Sequence, residues 1–314
     1  FVARRRFRNE RTRALFAGLA AHSFLSLDEP LSASFGMVLA AAAHAVGWPI
    51  PRGGAQSITN ALAAHLVQLG GRITTATRIE NLRQLPKCEI VLCDVTPRQL
   101  LHLSGSRLQG DVLSRKYRRR LENYRYGPGV FKVDYALSAP IPWKAAECLQ
   151  AATVHVGGSM AEIVASAAAM AGGHPAERPF VLVAQPTLFD PTRAPEGKHI
   201  AWAYCHIPNG SSVDMLERLE NQIERFAPGF RECILAWRIF SPADLEQMDA
   251  NLIGGDISGG AVDLRQFLFR PTWQQYRTSA TGIYLCSSST PPGGGVHGMC
   301  GYNAARMALR DLRR

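Results

Sequence analysis

The stretch STPPGGGVHGMCGYNAARMAL, residues 289–309, decides how this chain is read. It holds a literal G-x-G-x-x-G in Gly293, Gly295 and Gly298. GIYLC (282–286) before it reads as a buried strand, and the residues after it read as a helix. A dinucleotide-binding fingerprint needs strand, glycine turn, helix and a second strand ending in an acid about 20 positions on. The sequence runs to Arg314 without that second strand, so GGGVHG is not expected to be a complete ADP-binding unit. Its physical content stands apart from the label. Three glycines let the backbone approach a flat or charged group closely. The helix N-terminus that follows favours an anion or developing negative charge. The alternative is an ordinary tight turn into a helix.

The bulk numbers narrow the class. A chain of 314 residues that is 46% hydrophobic and 19% charged can build a core, which excludes a disordered polymer. No apolar run reaches the roughly 18 residues that span a bilayer; FGMVLAAAAHAVGW (35–48) is too short. There is no secretory signal pattern. Seven scattered cysteines, with no C-x-x-C, point to reduced thiols, a cytoplasmic setting and no metal site. The net charge of +10 sits largely in Arg4-Arg5-Arg6 and in Arg115, Lys116, Arg118, Arg119 and Arg120. These read as solvated helix faces, and no nucleic-acid motif accompanies them, so no nucleic-acid partner is expected. Contact of the Arg-rich helices with a membrane surface stays open as an alternative.

Along the chain, residues 9–47 read as helices with a turn at 27–32, and WPIPRGGAQS (48–57) breaks the pattern. Ile58, Leu62, Leu66 and Leu69 recur at helical spacing, and Gly70-Gly71 ends that helix. Alternation over 72–79 predicts a strand, and EIVLCD (89–94) a strand covered on both faces. Thr96-Pro97 opens a helix. Strands are predicted over 130–137, 152–158, 180–185 and 199–207, with helices over 159–171 and 213–226. The fold class is α/β with an α+β insertion carrying a mixed sheet.

Three segments carry a family resemblance: PRGGAQSITNALAAHLVQLGGRITTATRIENL (51–82), GGDISGG (254–260) and YRTSATGIYLCSSSTPPGGGVHGMCGYNAA (276–305). In order and over essentially the whole chain, the sequence resembles the phytoene-dehydrogenase-like oxidoreductases of the amine-oxidase-like superfamily, which include carotenoid desaturases and isomerases. The resemblance implies an FAD-binding lobe built from separated segments and a substrate-binding lobe between them. The segments would be 1–50 (helical part of the substrate lobe), 51–105 (FAD lobe), 106–250 (substrate lobe with a mixed sheet) and 251–314 (FAD lobe with the flavin motif). It implies that Ile79 contacts the adenosine part, and that Gly53 and Gly54 approach the cofactor. Gly255 and Asp256 would lie near the flavin, while Thr290, Gly293, Gly294, Gly295, Val296, His297 and Gly298 hold the isoalloxazine and ribityl. The family opens with a strand, G-x-G-x-x-G and helix, which are absent before Phe1. The Rossmann-like lobe is therefore expected to be incomplete and the chain to be the C-terminal part of such an enzyme. A second chain supplying the ADP-binding unit, and a cofactor-free binding or scaffold protein, are the alternatives. Cys286 to Thr290 stand where many relatives carry Gly-Asp, so Ser and Thr hydroxyls would replace a carboxylate as neutral partners.

His297 is read either as facing the flavin or as a turn residue. Trp202, Tyr204 and His206 alternate on one strand face and either line a channel for a hydrophobic substrate or pack. His155 reads as a satisfied sheet residue, and Asp94 as orienting the turn into the helix at Thr96-Pro97. No catalytic acid or base stands out. Flavin chemistry needs none, since the cofactor accepts hydride directly.

Overall fold

The computed structural model describes residues 1–313 other than 30 and 106–111. The chain divides into two units, Phe1–Thr75 with Val130–Ser241, and Ala76–Gly129 with Pro242–Arg314.

The first unit opens with α1 (Val2–Arg6), α2 (Glu10–Ala21), α3 (Ser32–Val46) and α4 (Gln56–Gln68). The side chain of Asn9 accepts the Arg11 N–H and starts α2. The end of α4 is the two-glycine stop the sequence predicts. Gly70 sits at φ +86°, and the N–H groups of Gly70 and Gly71 donate to Val67 and Leu66. The face of α4 departs from expectation. Ile58, Leu62, Leu66 and Leu69 keep their helical spacing, yet α4 buries no residue. The strand predicted over 72–79 does not form. Its side chains are mostly exposed, the segment joins neither sheet among the described residues, and Ala76 turns to φ +55°. Alternation alone cannot hold a strand without a partner edge.

The chain then enters the second unit as β1 (Val91–Cys93), α5 (Pro97–Leu103) and α6 (Arg115–Glu122). It returns as β2 (Gly129–Leu137), β3 (Thr153–Val156), α7 (Met160–Ala171), β4 (Val181–Ala184), β5 (His199–Ile207), α8 (Leu216–Phe226) and β6 (Ile234–Phe240). These strands form one sheet in the order β3-β4-β5-β2-β6. The neighbours β3/β4, β4/β5 and β2/β6 are antiparallel. Period-two alternation gives the sheet two different faces. Val133, Tyr135, Val181, Val183, Ala203 and Cys205 point to one side, where Leu219, Ile223 and Phe230 close a buried core with them. At the start of α7, Ser159 and Glu162 form a capping box, and Arg225 holds Glu162 in an ion pair. These bonds pull the Glu162 carboxyl down to about 2, the Arg225 bond most strongly.

The second unit is completed by α9 (Pro242–Met248), α10 (Leu264–Leu268), β7 (Ile283–Leu285) and α11 (Met299–Leu312). β1 and β7 pair in parallel, Val91 opposite Ile283. Leu285 packs with Leu100, Leu113 and Tyr117 of the second core. β1 is not covered on both faces as predicted, because Leu92 remains 41% exposed. Arg277 donates two 2.7 Å bonds to Asp311 and so ties α11 to the loop before β7. The architecture is mixed α/β, with a parallel two-stranded sheet and a five-stranded sheet that contains antiparallel pairs.

Candidate functional site

In the second unit the two glycine loops are packed on one another. Asp256, fully buried, accepts 2.7 Å bonds from the N–H groups of Gly127 and Ser258. The Ser258 hydroxyl donates to the same carboxylate. This fixes the GGDISGG loop so that the Ser258 carbonyl lies against the other loop: a Cβ on Gly294 would sit 3.1 Å from that oxygen. Gly255, at φ +81°, is equally confined, since a Cβ there would stand 2.9 Å from Pro242. The hydroxyls expected to stand in for a carboxylate face inward instead. Ser287 donates to Val95, Ser289 to Gly259 and Thr290 to Ser287, all to carbonyl oxygens. Charge arrives from a residue the sequence reading passed over. Arg270 is only 1% exposed and donates to the carbonyls of Ser258 and Ser288, bridging both loops. Its Nε has no partner, and its Nη1 lies 3.3 Å from where a Cβ on Gly293 would be. A buried guanidinium with an unused donor is costly unless an acceptor meets it. The only sequence signal is an arginine set in the apolar run FLFRPTW (267–273).

Beyond Gly295 the loop projects outward, with Val296 91% exposed. The His297 ring accepts the Met299 N–H at 3.0 Å, a turn contact, and Gly298 at φ +62° caps α11. Ile79 lies half-buried in the same unit. Asp94 does not orient the turn into α5 through its carboxylate. Asn251 does so, accepting the Thr96 N–H and donating to the Asp94 carbonyl. Burial, then Asp249, pushes the Asp94 carboxyl above its ordinary value. Burial chiefly, with Asp94, pushes the Cys286 thiol up to about 12, which leaves it protonated and unreactive at neutral pH.

Gly53 and Gly54 belong to the first unit. The Gly53 N–H donates to Asp190 at 2.6 Å, and a Cβ on Gly54 would strike the Arg193 guanidinium at 2.6 Å. Neither partner is signalled by the glycines themselves.

The second face of the five-stranded sheet gathers the three residues proposed to meet substrate. Trp202 stacks on Tyr204 with ring centroids 6.2 Å apart, and Tyr204 lies 5.9 Å from His206. Phe24, from beyond α2, covers His206 at 4.3 Å. Alongside, His22 and His155 share a 2.9 Å Nε2–Nε2 hydrogen bond. At the other end Lys132 pairs with Asp134 and approaches the Trp202 ring at 6.0 Å. Burial, then His22, depresses both His155 and His206 to about 3, and burial raises Tyr204 to about 12. Between the Lys132 pair and the His22–His155 pair the strip is therefore aromatic and uncharged at neutral pH, suited to an apolar molecule and poor in acid–base chemistry.

No family model matches the chain. It is similar to the rat pyridine nucleotide-disulfide oxidoreductase domain-containing protein 2, 36% identical over 156 residues, covering 45% of this chain and 27% of that protein. A phytoene desaturase (lycopene-forming) of Pseudescherichia vulneris aligns at 22% identity over 82% of this chain and 55% of its own length. A 4,4'-diapolycopen-4-al dehydrogenase of Metabacillus indicus is 28% identical over 38% of this chain and 25% of its own. The chain thus spans about a quarter to a half of these relatives. Among solved structures, an oxidoreductase from Methanosarcina mazei superposes with a TM-score of 0.59 at 14% identity, over 99% of this chain and 70% of that one. At that identity the likeness is one of fold. Among the described residues no helix is long and apolar enough to cross a membrane.

Proposed function

This chain is related to the phytoene-desaturase-like oxidoreductases, and from that premise we propose that it is part of an FAD-dependent oxidoreductase acting on a hydrophobic substrate. The observation that carries the reading is Arg270, buried between the two glycine loops with an unused Nε and with Nη1 against the open side of Gly293. The residues present fit a flavin. Gly293 and Gly295, at φ +106° and +152°, supply backbone without side chains, Arg270 supplies fixed positive charge, and the 14-residue α11 supplies a positive dipole end. When bound, the flavin would supply a two-electron acceptor for hydride from a C–H bond, or assist isomerisation of a double bond. Trp202, Tyr204 and His206 would hold the apolar substrate and exclude water, and no protein acid or base is assigned. The test is the visible absorption of the purified chain with added FAD. The expected result is a resolved flavin band that G293A removes, since alanine at φ +106° is strained and its Cβ crowds Arg270. Protein absorption alone, unchanged by excess FAD, would overturn flavin binding by this chain.

A second reading, that another polypeptide completes the protein, is favoured by α4 and its C-cap, where Leu62 and Leu69 are 67% and 73% exposed. It predicts that FAD is retained only after mixing with the dinucleotide-binding unit of a flavoprotein relative, and that L62K abolishes that retention. FAD bound equally by the chain alone would exclude it.

A further inference from the structure

The second unit carries a cavity of about 680 Å³ that shares no lining residue with the glycine loops. Arg120, Arg125 and Arg265 line it, together with Tyr124, Phe269 and Trp273. Its volume falls in the range of small-molecule sites. Its floor is rigid. Tyr124 donates to the Gly259 carbonyl, and Gln266 bonds the main chain of Arg125 and Ala261. Its charge is unbalanced. Arg125 pairs with Asp263, whereas Arg120 and Arg265 are exposed and enter no ion pair among the described residues. α6 explains the asymmetry: Arg118 turns inward to Ser104 and the Gly105 carbonyl, and its neighbours Arg119 and Arg120 turn out. A second hollow, lined by Arg115, Lys116 and Arg119, shares Arg120 and continues the cationic surface. Beside the cations stands Trp273, 70% exposed, with its ring backed at 3.7 Å by Phe269. An indole held flat by a second ring and left open on its outer side is a stacking platform. Guanidinium groups without carboxylates are matched to phosphate oxygens, which they bind in a two-pronged way.

We propose that this cavity binds a phosphorylated planar ligand of the nucleotide class, its ring on Trp273 and its phosphates on Arg120 and Arg265. The concavity and the Phe269 backing favour a small molecule over a flat bilayer. The proposal does not rest on the flavin reading, although the cavity adjoins the glycine loops through Tyr124, whose hydroxyl donates to the Gly259 carbonyl.

The test is isothermal titration of the full chain with GDP, whose guanine keeps it apart from any adenine-dinucleotide subsite. Guanosine and inorganic phosphate are titrated in parallel. GDP should bind, with each fragment about tenfold weaker or worse, as expected when ring and phosphate act together. R120Q, R265Q and W273A should each weaken GDP by about tenfold, the loss of one charged or stacked contact. All three residues are exposed, so the variants should melt with the wild type. Absence of GDP binding at millimolar concentration would overturn the proposal. So would GDP affinity unchanged in all three variants. Binding to phosphatidylserine vesicles that R120Q and W273A abolish, with no competition by GDP, would replace the nucleotide site with a membrane contact.

Discussion

Lowering the pH should destabilise the first unit through its buried histidines, and substituting His206 should remove a defined share of that loss. Burial among Phe24, Phe180 and Tyr204, with His22 as the facing titratable ring, depresses His206 from 6.5 to about 3. The folded chain holds this ring neutral, while the unfolded chain binds a proton below pH 6.5. Acid therefore favours unfolding. The contribution is complete above pH 6.5, falls by about 1.4 kcal/mol per pH unit below it, and levels off near pH 3. Between pH 7.5 and 5.0 His206 alone should cost about 2 kcal/mol. His155, depressed to about 3 by burial and His22, should cost a similar amount. The assay is urea unfolding at the two pH values for the wild type and H206F. Phenylalanine keeps the ring packing against Phe24 and cannot titrate. Any constant effect of the substitution cancels in the difference between pH values. H206F should lose about 2 kcal/mol less than the wild type on acidification. Equal losses in the two proteins would refute the claim that His206 is held neutral in the folded chain.

Three further substitutions test the packing. Q185L strands the Trp143 indole N–H and the carbonyls of Cys148 and Ala151, all bonded to the Gln185 amide within 3.0 Å, and should cost about 2–4 kcal/mol in a thermal melt. D311A removes the partner of Arg277 and of the Tyr284 hydroxyl; it should cost about 1–2 kcal/mol and speed amide exchange along α11, while the rates in α7 stay unchanged. D256A removes the buried carboxylate that accepts from the Gly127 N–H and from Ser258, and should cost about 2–3 kcal/mol by urea unfolding.

Much of the fold was legible because its signals are local. The alternation of HIAWAYCHI forms β5 over His199–Ile207, and Thr96-Pro97 opens α5 with proline in its first turn. The failures share one cause. The alternation at 72–79 and the leucine row of α4 are real patterns, but a pattern states which face wants cover and not whether any arrives. β6 escaped prediction for the converse reason. ILAWRIF has no clean period, and its place is set by pairing with β2 across a bulge at Ala136/Leu137.

The site was legible only where glycine was the signal. Gly255, Gly293 and Gly298 occupy left-handed backbone that side chains rarely adopt, and this makes a glycine cluster readable in one dimension. Arg270 carries no such mark. Its role arises because two carbonyls, 12 and 18 positions away, converge on one guanidinium. The same holds for His22 and His155, whose bond joins positions 133 apart. Glycine therefore shows where the backbone must come close, while the charge that meets a ligand there is fixed by convergence. R270K separates the two contributions. Lysine keeps the charge but puts a shorter side chain with a freely rotating ammonium in place of the rigid guanidinium whose Nη2 bonds both Ser258 and Ser288. It should leave the φ angles of Gly293 and Gly295 accessible and still loosen both loops, read as faster amide exchange at Ser288 and Ser289. If exchange there is unchanged, the glycine loops hold themselves, and Arg270 is only a passenger in their packing.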